Sequence, residues 1–102
     1  MHPLHIVNKS PYASSALDSC LIRLTDEASL LLIEDAVCAA LAGGAWSARL
    51  ADTVGTNAVY ALGPDLAARG LIDRELVNGI TVVDYGGFVD LAARHSVAQS
   101  WF

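Results

Sequence analysis

The sequence predicts an α/β fold, a single domain with a mostly parallel sheet flanked by helices. Two observations lead there. Short apolar runs alternate with amphipathic stretches along the whole chain, and each run closes in residues that favour turns or helix starts. The length, 102 residues, fits one compact domain over 1–102 and leaves no room for a second.

The first run, Leu4-His5-Ile6-Val7-Asn8, is closed by Lys9-Ser10-Pro11, the pattern of a buried strand ending in a turn. Ser15-Ala16-Leu17-Asp18 then offers a capping box, with a hydroxyl at the cap and a carboxylate three residues on. Leu17, Leu21 and Leu24 recur at helical spacing, which predicts a helix running to about Leu24. Leu30-Leu31-Leu32-Ile33 is a second strand, and Glu34-Asp35 leads into a helix through Val37 and Leu41 that Gly43-Gly44 ends. Trp46, Leu50 and Val54 lie four apart on a further amphipathic segment.

Ala58-Val59-Tyr60-Ala61-Leu62 is a third strand. Pro64 is well placed at the first position of the next helix, and Gly70 at its end. Ile80-Thr81-Val82-Val83 is a fourth strand, and Asp84 can cap a helix containing Phe88, Val89, Leu91 and Ala92. The tail Ala98-Gln99-Ser100-Trp101-Phe102 either adds an edge strand or packs on a neighbour. His5 is expected to point to one side of the first strand in a structural role.

Composition narrows the function. The chain is 54% hydrophobic and only 17% charged. So small a domain cannot hide all of that apolar surface by itself, so an oligomer is expected. The net charge is −5, and the six Lys and Arg are scattered, which speaks against direct nucleic-acid binding. The opening residues predict no signal peptide, and no apolar run approaches a membrane span, so the expected location is the cytoplasm, with no membrane partner. There Cys20 and Cys38 are expected as free thiols rather than a disulfide.

In open α/β sheets ligands gather at the carboxyl ends of strands. Those ends carry Asn8-Lys9-Ser10, Glu34-Asp35, Gly63-Pro64-Asp65 and Asp84-Tyr85, which can form a polar cleft or simply cap the following helices. No G-x-G-x-x-G or Walker A loop is present, and neither cysteines nor histidines show metal-ligand spacing; no cofactor and no metal are expected. Cys20 lies near the Leu17/Leu21/Leu24 stripe, where a free cysteine is either a small buried hydrophobe or a reactive thiol. Arg23 would favour its thiolate and Asp18 would oppose it. Cys38, in the Ala-rich stretch Val37–Leu41, reads as a packing residue.

Leu4–Pro11 followed by Ala16-Leu17-Asp18-Ser19-Cys20 resembles the opening of the DsrH/TusB family. Leu31–Val37, Val59–Leu62 with Asp65-Leu66, and Arg69-Gly70-Leu71 are similar to the family's centre. Val83-Asp84-Tyr85, Phe88–Leu91 and Gln99-Ser100-Trp101 are similar to its end. The resemblance implies a DsrE/DsrF/DsrH-like fold. It also implies a heterohexamer with DsrE/TusD-like and DsrF/TusC-like subunits, and sulfur transfer to a DsrC/TusE-like acceptor. DsrH-type members serve dissimilatory sulfur oxidation, and TusB-type members serve thiolation of a tRNA wobble uridine. A cysteine at position 20 is typical of DsrH chains, which favours sulfur oxidation and makes Cys20 the candidate catalytic residue, carrying sulfur as a persulfide. The alternative is a docking subunit with an inert Cys20, since the principal transfer cysteine of the family lies on the DsrE/TusD-type subunit.

Overall fold

The computed structural model describes residues 2–95 and 97–102. Its order is β1 (Leu4–Val7), α1 (Ala16–Arg23), β2 (Ser29–Leu32), a 3-10 helix (Glu34–Ala40), α2 (Ser47–Val54), β3 (Ala58–Leu62), α3 (Gly63–Ala68), β4 (Thr81–Val83), α4 (Tyr85–Arg94) and β5 (Ala98–Trp101). The strands form one sheet in the order β4-β3-β2-β1-β5, and every pairing is parallel. The expected sheet is therefore present, and the tail is its edge strand.

This order explains how the helices are shared between the faces. From β1 through β4 the chain steps outward in one direction, then returns through α4 to β5 on the far side of β1. Crossovers keep one hand, so reversing the direction of travel moves the connecting helix to the opposite face. Accordingly Leu17 and Cys20 of α1, Val37 of the 3-10 helix, Leu50 of α2 and Leu66 of α3 share one core cluster with Val7, Leu30, Leu32, Val59 and Ala61. On the other face Leu91 of α4 packs with Leu4, Ile6 and Leu31, joined by Ile33, Tyr60, Val83 and Phe88. Strand alternation divides the two sets, and the in-register pairs Ile6↔Leu31 and Leu31↔Tyr60 keep each row on its own face.

Two local expectations need correction. The capping box does not form: Ser15 makes no side-chain cap bond, and its backbone (φ −87, ψ 6) lies outside the extended region a cap residue uses. Ser14 Oγ accepts from the Ala16 amide instead, and Asp18 pairs with Arg49. The segment after β2 is a 3-10 helix ending at Ala40, short of Gly43-Gly44. Its end is pinned because the Val77 amide donates to the Ala40 carbonyl and the Ala42 amide to the Glu75 carbonyl. Longer-range backbone bonding thus takes a carbonyl and an amide that another helical turn would have used. Asp84, by contrast, caps α4 as expected, its Oδ1 accepting from the Gly87 amide at 2.7 Å.

Among the described residues no helix is long and apolar enough to cross a membrane.

Candidate functional site

The carboxyl edge of the sheet gathers the polar residues that the strand ends carry. Asp65, at the start of α3, does not cap its own helix. Its Oδ2 accepts from the Glu34 amide across the strand ends at 2.6 Å. Glu34 sits at φ +50, an unusual conformation for a residue with a side chain, and this hydrogen bond fixes the amide in place. Arg69, just past α3, donates from Nε to Asp35 Oδ1 at 2.9 Å and from Nη1 to the Asp65 carbonyl at 3.1 Å. The Asp65 and Asp35 carboxylates and the Glu34 amide are thus occupied in holding the β2 and β3 ends together, which is a structural task. Arg69 is the member that sequence reading missed; its signal was its position four residues beyond Asp65.

The 3-10 helix begins at this pinned amide and carries Cys38 towards the loop that follows β1. Cys38 Sγ lies 3.7 Å from Ser10 Oγ, and the thiol is half-buried. Ser10 Oγ also accepts from the Tyr12 amide. Close by in sequence, Asn8 Oδ1 is buried with no hydrogen-bond partner among the described residues. Asn8 and Ser10 follow β1 at the carboxyl edge of the sheet, the edge where open α/β sheets hold ligands. Ser10 and Cys38 are brought together by the ends of two adjacent strands, across 28 positions of sequence. Spacing alone shows no such pairing.

Cys20 occupies different ground. It lies in the middle of α1 and turns into the main core, 0% exposed, with Leu17 and Val7 in the same cluster. Burial pushes its thiol up to about 12, because a thiolate there would lose its hydration. Such a shift corresponds to roughly 4 kcal/mol against ionisation. Neither neighbour weighed from the sequence alters this. Asp18 is engaged by Arg49, and Arg23 donates to the Ser19 carbonyl from an exposed position. Among the described residues nothing hydrogen-bonds to Cys20 Sγ. In the closed chain Cys20 is thus a packed side chain whose sulfur is out of contact with solvent.

His5 has the structural role expected of it: buried on β1, its Nδ1 accepts from Trp101 Nε1 at 3.0 Å. Among the described residues no cluster of His, Cys, Asp and Glu could hold a metal ion.

The fold is that of a small parallel α/β domain with Ser10 and Cys38 side by side at its strand ends. A family model described as "DsrH like protein" matches residues 9–98. The Protein TusB of Pectobacterium carotovorum is 38% identical over 98 residues, covering 96% of this chain and 99% of that one. The Protein TusB of Shigella dysenteriae is 38% identical over 99 residues, with the same coverage. The chain belongs to the DsrH/TusB family, and that membership implies a sulfur-relay subunit. Among solved structures, the ychN protein from E. coli superposes with a TM-score of 0.83 at 21% identity, covering 98% of this chain and 99% of that one. A protein of unknown function from Methanobacterium thermoautotrophicum gives a TM-score of 0.69 at 16% identity over 96% of each chain. Both establish the fold.

Proposed function

We propose that this chain is the docking subunit of a cytoplasmic sulfur relay, assembled with TusD/DsrE-like and TusC/DsrF-like partners in a heterohexamer, and that the relay thiolates a tRNA wobble uridine. Full-length kinship with curated proteins called TusB supports the relay and its tRNA branch. The observation that carries the docking role is the seal over Cys20, whose side chain is 0% exposed. Sulfur exchange needs a thiolate within reach of a donor, and this residue offers neither. Assembly is supported by apolar side chains left in solvent on the α4 side, Tyr85 at 62% and Val89 at 66% exposed.

A second reading keeps Cys20 as a sulfur carrier, with a DsrC/TusE-like acceptor in dissimilatory sulfur oxidation. A cysteine at position 20 favours it, as such a residue is typical of DsrH chains. In that reading the Cys20 thiolate attacks the outer sulfur of a donor persulfide. The S–S bond of the donor breaks, the donor leaves as a thiolate, and Cys20 holds the sulfur until an acceptor thiolate removes it in the same way. The partners would have to open α1 for this to proceed.

One experiment separates the two. A host lacking TusB is complemented with the wild-type chain or with Cys20→Ala, together with the chain's own partner subunits, and wobble-uridine thiolation is measured by mass spectrometry of tRNA. Intact mass of the purified complex after treatment with a low-molecular-weight persulfide is read alongside. Equal restoration by both chains, with no sulfur gained on this subunit, is the expected result. Thiolation lost in Cys20→Ala, or a reductant-sensitive gain of one sulfur that the variant lacks, would overturn the docking role. Failure of both chains to restore thiolation would remove the tRNA branch.

A further inference from the structure

We propose that His5 and Trp101 form a pH-sensitive latch that holds β5 on the edge of the sheet and releases it in mild acid.

Among the described residues β5 has only β1 for a neighbour, and three of its four residues are exposed. Its one partly buried side chain is Trp101, which packs against the main core cluster and donates from Nε1 to His5 Nδ1 at 3.0 Å. An indole nitrogen donates and cannot accept. The hydrogen bond therefore requires a lone pair on His5 Nδ1, so the ring is neutral with its proton on Nε2. A second proton would set one N–H against another inside a side chain only 6% exposed.

Among the described residues no carboxylate pairs with the His5 ring to compensate an imidazolium there. β2 contributes only Ser29–Leu32 and β5 only Ala98–Trp101, neither with a charged side chain. The titratable groups of α1, packed on the same face, are Asp18, Cys20 and Arg23. Asp18 is held by Arg49, Cys20 is buried and un-ionised, and Arg23 would only repel. His95 shows the contrast: its ring nitrogens meet the Leu91 carbonyl and the Ser29 hydroxyl, both able to accept.

Burial lowers the His5 pKa from its ordinary 6.5, so the unlatched strand binds a proton more readily than the latched one. The latch is therefore complete above that value and weakens as pH falls through the range beneath it, by at most about tenfold per pH unit for one proton. Release uncovers the backbone edge of Leu4–Val7, an apolar strand whose free amides and carbonyls can pair with another extended segment.

The test uses the full chain and reads hydrogen exchange at single amides, corrected for intrinsic pH dependence. Protection of the β1–β5 pairing, including the Leu4 amide bonded to the Val97 carbonyl, should fall between about pH 7.5 and about pH 5, while the β2–β3 pairing keeps its protection. His5→Gln, which retains an acceptor and does not titrate, should make β5 protection independent of pH. As a second readout, the His5 ring titration should move up towards its ordinary value in Trp101→Phe. Equal β5 protection at both pH values in the wild type, the same loss in His5→Gln, or an unmoved His5 titration in Trp101→Phe would each overturn the latch.

Discussion

Alkylation of Cys20 gives the sharpest test of its burial, because the structure sets the size of the effect. With the thiol pushed up to about 12 from 9.0, the native thiolate fraction at neutral pH is lower by about a thousandfold than for the same cysteine in the unfolded chain. A less acidic thiol is also a better nucleophile, by about 15- to 30-fold over that interval at a Brønsted slope of 0.4–0.5. The net slowing from ionisation alone is therefore about 30- to 60-fold, before any allowance for access. Because the side chain is 0% exposed, a reagent must also wait for α1 to open. If opening costs about 3 kcal/mol, the open route is slower than the unfolded chain by about 150-fold, and it carries no further ionisation penalty because the thiol is then hydrated. The expected result with iodoacetamide, read by peptide mass spectrometry, is Cys20 labelled at least about 30-fold more slowly in the native chain than in urea. A ratio below about fivefold would refute the burial, and with it the assignment of Cys20 to the core.

Asp65→Ala removes the acceptor for the Glu34 amide and should lower stability to urea by about 1–2 kcal/mol, with Asp65→Asn recovering part of it through its amide oxygen. Gly87→Ala should cost about 1–3 kcal/mol, since an added Cβ would lie 2.9 Å from Val83 Cβ, and far-ultraviolet circular dichroism through a thermal scan would show it.

Much of the fold could be read directly from sequence because it depends on neighbours along the chain. The third strand matches its expected residues, Ala58–Leu62. Pro64 falls in the first turn of α3, and Asp84 caps α4, because each acts within a few residues of itself. The Ser15 cap and the helix after β2 were misread for the opposite reason. Arg49 lies 31 residues from Asp18, and Glu75 and Val77 reach residues 40 and 42 from a distant loop. Contacts of that kind leave no periodic trace.

The sequence by itself determined the α/β class, the positions of the strands, the resemblance to a known family and the absence of a phosphate loop. These follow from hydrophobic period, local turn chemistry and residue identity. Only the tertiary structure decided the state of each thiol. From the sequence, Cys20 reads as either a buried hydrophobe or a reactive thiol and Cys38 as a packing residue, and each lies among small and apolar neighbours. The direction of each crossover then turned α1 inward over the sheet, which desolvated one sulfur, and brought the 3-10 helix to the strand ends, which left the other half-buried beside Ser10. Reactivity follows from hydration and access, and those are properties of the assembled layers rather than of the residue.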